Sequence, residues 1–214
     1  MSAGLAVGFH GKVPARGDFV GYGLPRGLLM LWDGWLSEVL AEAGRHLGSP
    51  WEPLFQGAPV WRFALSAGLC GEAPLAGILM PSSDRVGRLY PFTIVTTLPS
   101  DVDLALVPTA GAKWFARAEA VAADACHAGA DVDALPARMA ILGRPEVENA
   151  DPALAAVVEE QLGPLPPLAS LWWSKGRGRI EPSLLTCCGL PGGKRAAAFL
   201  DGAWARWGWF DLDH

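Results

Sequence analysis

Residues 80–94 read MPSSDRVGRLYPFTI and set Asp84, Arg85 and Arg88 within five positions, between two apolar runs. Upstream, the loop GKVPARGDF brings Lys12, Arg16 and Asp18. Arginine presents a rigid planar fork that matches a carboxylate, so two chemistries are open to this set. In the structural one, Asp84 or Asp18 pairs with Arg85, Arg88 or Arg16 and locks two loops above a sheet. A buried pair of that kind fixes geometry and adds little net stability. In the functional one, exposed arginines anchor a partner, since Arg is enriched at interface hot spots. The sequence favours the structural role for Asp84 and Asp18 and leaves Arg85 and Arg88 open between the two. Both readings expect the loops around 11–18 and 81–90 to lie near each other.

Catalytic chemistry finds less support. Ser82 and Ser83 stand beside Asp84, but only His10, distant in sequence, could serve Ser83 as a base. Around Ser66 the sequence ALSAG lacks the first Gly of a nucleophile elbow. GLPGGKR, residues 189–195, has three residues between its outer glycines and Arg195 after Lys194, where a P-loop needs four and a hydroxyl. The carboxylate pairs Asp101/Asp103, Asp131/Asp133 and Asp211/Asp213 lack the further ligands of a calcium loop and read as helix caps or solvated charge. The four histidines show no metal-binding spacing, and Cys126-His127 would diverge on a helix. Cys70, Cys126, Cys187 and Cys188 form no C-x-x-C pair and read as reduced core residues. No cofactor is expected, and no catalytic or metal-binding residue.

Elements must hold these loops in place. The chain has 214 residues, 51% of them hydrophobic and 18% charged, enough for a substantial core and far from a disordered composition. Its net charge of −5 argues against a nucleic-acid partner. It shows neither a signal peptide nor an apolar run long enough to span a membrane, so a cytoplasmic protein is expected. Leu5 to Phe9 reads as a strand, and Trp32, Trp35, Leu36, Val39 and Leu40 recur at helical spacing after Leu28. Val60 to Leu69 and Leu75 to Met80 form an expected hairpin across Gly71-Glu72-Ala73-Pro74, and Pro91 to Leu98 a third strand. Lys113 to Ala128 reads as a helix, and a second opens at Asp151-Pro152. LASLWWS, SLLTCCGL and AAAFLDG read as three late strands. Strands, helices, then strands predict an α+β fold: one domain over 1–214, a layered sandwich with a largely antiparallel sheet flanked by helices.

Three stretches carry a family resemblance. GFHGKVPARGDFVGYGLP with WDGWL, residues 8–36, resembles the opening signature of the TagF family of type VI secretion system-associated proteins. PVWRFALSAGL with GILMPSSDRVGRLYPFTI is similar to its second block, and SLWWSKG, LLTCCGLP and AAAFLDG to its third. Ser83 stands where the family more usually has Val, and Gly-Tyr-Gly precedes Leu24 where Arg residues are frequent. The resemblance implies a cytoplasmic post-translational negative regulator of the secretion machine, acting through protein–protein contact with its forkhead-associated scaffold component. It supplies no catalytic residues. Two other classes remain: a small hydrolase using Ser83 with His10, and a small-ligand sensor lined by tryptophans.

Overall fold

A computed structural model describes residues 7–147, 151 and 153–210, apart from the side chain of Leu154. Seven strands form one sheet: β1 (Gly8–Gly11), β2 (Val20–Tyr22), β3 (Trp61–Leu65), β4 (Leu75–Met80), β5 (Phe92–Thr97), β6 (Ala169–Ser174) and β7 (Ser183–Cys188). Their spatial order is β2-β1-β5-β4-β3-β6-β7, and every pairing is antiparallel. Early and late segments therefore share the sheet, as expected of an α+β fold.

Both faces of the sheet are covered, and side-chain alternation explains how. Along β3, Trp61, Phe63 and Leu65 join one apolar cluster while Ala64 joins the other. Along β5, Val95 points to the first side and Phe92 and Ile94 to the second. Gly77 is required in β4 because it pairs with Phe63, and any Cβ there would collide with that ring and with the Ile94 carbonyl.

The first face is capped by α1 (Arg26–Leu47), whose Leu28, Trp32, Leu36 and Ala43 are buried on one stripe. Arg45 and His46 sit in its last turn, and it stops at Gly48, whose φ of 66° favours glycine. Trp32 lies against Phe63 with ring centroids 4.9 Å apart, and its Nε1 donates to Thr93 Oγ1 at 3.2 Å. Trp35 is only partly buried, and its Nε1 donates to the Pro191 carbonyl at 2.8 Å. The short α2 (Trp51–Gly57) follows, adding Phe55 to the buried residues.

The second face is capped by α3 (Val107–Ala110), α4 (Ala112–Ala125), α5 (Leu135–Leu142) and α6 (Ala153–Leu162). In α4, Trp114, Phe115, Ala118, Ala122 and Ala125 are buried, which fits the helical spacing in the sequence. At α6, Asp151 Oδ1 accepts from the Ala153 amide, as a capping residue does; Pro152 lies outside the described residues.

One expected element is corrected. AAAFLDG is not a strand: Gly193–Ala197 forms a 3-10 turn that continues into α7 (Ala198–Asp201). Ala196, Ala197, Ala198 and Phe199 are buried consecutively, and a run of small alanines lets this segment pack closely on α1. Alanine is the strongest helix former, and Gly202 ends the helix at a φ of 72°. A short apolar run bounded by glycines does not by itself separate strand from helix.

Candidate interaction site

The two charged loops meet. The Lys12 ammonium stands 3.3 Å from Asp84 Oδ2, the Arg85 amide donates to the Arg16 carbonyl at 2.8 Å, and Arg88 Nη2 donates to the Gly17 carbonyl at 2.7 Å. Asp84 is the centre of this clasp. Its side chain is fully buried, Oδ1 accepts from the amides of Val86 and Arg88, and Oδ2 accepts from Arg88 Nε at 2.6 Å. Burial pushes the Asp84 carboxyl up, but the bonds from the Arg88 amide and guanidinium, from Lys12 and from the Val86 amide overrule it. The group is held well below the usual carboxylate range.

The other predicted residues fall in different places. Arg16 reaches across to Asp133, with Nη2 3.0 Å from each carboxylate oxygen, and so ties the first loop to the helical layer. Asp18 forms no ion pair among the described residues; it is exposed, and its Oδ1 accepts from the next amide, Phe19, at 2.8 Å. Of the two carboxylates expected to pair with an arginine, Asp84 does so and Asp18 does not, its turn directing it to solvent with a bond to the next amide. Ser83 forms an isolated antiparallel bridge with Leu89 that closes the second loop. Arg88 divides its roles, bonded at Nε and Nη2 yet with a side chain 61% exposed. Arg85 is exposed and, among the described residues, its guanidinium has no hydrogen-bond or ion-pair partner.

Beside the clasp lies a cluster that sequence reasoning did not assemble. The Tyr90 hydroxyl donates to Asp33 Oδ1 at 2.6 Å, and His10 Nε2 stands 3.6 Å from the same oxygen. Phe19 stacks on His10 at 5.2 Å, meets Tyr90 edge-on at 4.8 Å, and carries the Lys12 ammonium 5.1 Å above its ring. Burial pushes the His10 pKa down against the opposing pull of Asp33, and burial with the Asp33 bond pushes Tyr90 up. The only sequence signal was the alternation of aromatic and charged residues in the two loops, which does not reveal that Asp33 on α1 joins them.

Chemistry of other kinds is weakly served. No hydrogen bond joins Ser83 to His10 among the described residues. Burial pushes the Cys70 thiol up to about 11 and raises those of Cys126 and Cys187, which opposes thiolate formation. Asp103 and Asp131 accept amides at the starts of 3-10 turns, as capping requires, while Asp211 and Asp213 lie outside the described residues. Among the described residues no group of three His, Cys, Asp or Glu could hold a metal. The cavity between α1 and the sheet, bounded by Trp35, Phe55, Trp61, Trp172 and Phe199, measures only about 50 Å³ and is apolar, without the converging polar groups of a ligand site. No helix among the described residues is long and apolar enough to cross a membrane.

Comparison with known proteins accords with this architecture. Residues 8–142 match the TagF N-terminal domain, described as type VI secretion system-associated. The crystal structure of PA0076 from Pseudomonas aeruginosa PAO1 superposes with a TM-score of 0.80 at 34% identity, covering 92% of this chain and 94% of that one. No curated protein matches. The matched span contains both clasp loops and the first five strands, and with it the chain belongs to the TagF family of type VI secretion system-associated proteins.

Proposed function

We propose that this protein is a cytoplasmic negative regulator of a type VI secretion system, acting by protein–protein contact and not by catalysis, with the forkhead-associated scaffold component as partner. The observation that carries this reading is the division of labour in the clasp. Asp84 is bonded by Lys12, Arg88 and two amides, and Arg85 joins the clasp by its backbone amide alone, so the second loop is held without the Arg85 side chain. Binding through Arg85 then costs the rotamer freedom of one side chain without the further cost of ordering the loop that carries it, and Arg is enriched among interface anchors. Membership in a secretion-associated family supports the same reading.

Affinity capture of the tagged chain from a strain carrying an intact type VI cluster tests it. Recovery of the forkhead-associated component is expected, with loss of recovery for Arg85→Glu. Capture without that component removes it as the partner, and undiminished capture by Arg85→Glu removes this loop from the contact surface.

A further inference from the structure

The helical layer presents a groove between α4 and α5. Its volume is about 320 Å³, with Arg117, Ala120 and Val121 on one side and Arg138, Ile141 and Leu142 on the other. Ile141 is 83% exposed, more than any other large apolar side chain among the described residues. Apolar surface bordered by charge in this way marks a contact site.

The charges of α4 run against its own dipole. A helix favours anions in its first turn and cations in its last. Here Lys113 lies in the first turn and Asp124 in the last, and neither turn holds a charge of the favoured sign. Such an order gains nothing within one helix. A second α4 laid antiparallel reverses it, because the cations of each helix then approach the C-terminal end of the other, and Asp124 the N-terminal end.

Spacing indicates the occupant. Arg117, Ala120, Val121 and Asp124 follow one another by three, one and three positions and share one face of α4. From either end the order is a charge, two apolar residues, and the opposite charge. A second copy packed antiparallel about the midpoint of Ala120 and Val121 sets Arg117 against Asp124 of that copy. The reverse contact follows at once, as two-fold symmetry requires.

Both charges are free to make this contact. Arg117 is exposed and forms no hydrogen bond or ion pair among the described residues. The Asp124 side chain is 64% exposed; Oδ2 accepts from Arg138 Nη2 at 2.6 Å, and Oδ1 has no partner among the described residues. The other charges nearby do not oppose the arrangement. Glu119 is bonded to Arg62 Nε at 2.6 Å, and Lys113 would extend past Ala125, where the second helix ends. Glu146 borders an adjoining hollow with Lys113 and Arg117 and pairs with neither. Ala116, Ala120 and Ala123 are exposed, and side chains this small let two helix axes approach to about 8 Å. Repulsion between two chains of net charge −5 is screened beyond about 8 Å at physiological salt, so the charges at the contact decide.

We propose that the α4–α5 face is a homodimer surface, on which the two α4 helices pack antiparallel about Ala120 and Val121 and Ile141 is covered by the second copy. This goes beyond the regulatory reading and does not rest on it.

Sedimentation velocity of the whole chain at rising concentration should show a monomer–dimer equilibrium, and a chain that stays monomeric throughout overturns the proposal. Arg117→Asp places like charges at both symmetric contacts, and so does Asp124→Arg. Each variant alone should therefore associate about tenfold or more weakly than the parent. Mixed in equal amounts, the two variants meet opposite charges at both contacts and should recover the parent's association. Damage within one chain, such as loss of the Arg138 bond in Asp124→Arg, cannot produce a rescue between chains. Unchanged association of the single variants, or no recovery in the mixture, overturns the assigned register. Ala120→Glu tests the axis separately: it sets two carboxylates together there, at an exposed helix position that glutamate suits. It should abolish the dimer while its melting curve overlays the parent's. Dimers that persist in Ala120→Glu lie on another face and overturn the proposal.

Discussion

The seam beneath α1 and the clasp at the loop tips each join segments far apart in the chain, by different physics. Trp32 reaches Thr93 across 61 positions, and Arg88 reaches Gly17 across 71. The seam is held by area: Trp32, Leu36, Phe63, Leu65 and Trp172 are all at most 1% exposed, and burial of that kind is non-directional. The clasp is held by directed bonds to one carboxylate, which depend on charge state and on the reach of each donor. The seam therefore contributes more to stability than the clasp does, and the clasp fixes which residues are presented.

Removing Trp32 attacks the seam and should have the largest effect. Trp32→Ala deletes a fully buried ring and leaves Thr93 Oγ1 without its donor, so unfolding by urea should reveal a loss of about 3–5 kcal/mol. Repression of secretion should fall only as far as the folded fraction does. A loss below about 1 kcal/mol would mean that the stability resides elsewhere.

The clasp should betray itself through pH. The Asp84 carboxyl is depressed in the folded protein, so its contribution is present above the ordinary aspartate pKa of about 3.9 and is lost as pH falls from there toward the folded value. Thermal melts of the parent should therefore steepen in their decline below about pH 4. Asp84→Asn should melt lower than the parent at neutral pH and lack that part of the acid slope, so the two curves converge in acid. Parallel curves across the range would show that Asp84 does not couple to folding.

The same contrast governs what the sequence could reveal. Periodicity locates elements whose burial is regular: β4 is read to its ends, α1 begins two residues before Leu28, and α4 is found within three residues at its C-terminal end. It fails where burial is not periodic, as at Ala196–Phe199, and where a strand is three residues long and mostly exposed, as at β2. Within the clasp, the charge types and the proximity of the two loops are legible because the dense charge between apolar strands needs partners. The allocation is not. Whether Asp84 or Asp18 takes the cations depends on which carboxylate the turn points inward, and Asp18 bonds its neighbouring amide instead. Asp33 enters the cluster from α1 by tertiary packing alone, at a helix position that spacing marks merely as beside the apolar stripe.

The smallest stability effect falls on the residue with the most to say about function. Reversing both arginines together would confound two roles, because Arg88→Glu sets a carboxylate against Asp84 and breaks a 2.6 Å pair. Arg85→Glu alone avoids this, since only its backbone amide belongs to the clasp, donating to the Arg16 carbonyl. Surface substitutions away from such bonds shift stability by no more than about 0.5 kcal/mol, so the melting curve of Arg85→Glu should overlay the parent's. Secretion assayed in the same strain should then escape repression although the protein is folded and abundant. If Arg85→Glu instead melts well below the parent, its guanidinium has a structural partner in solution, and the rigidity assigned to Asp84 would be shared with Arg85.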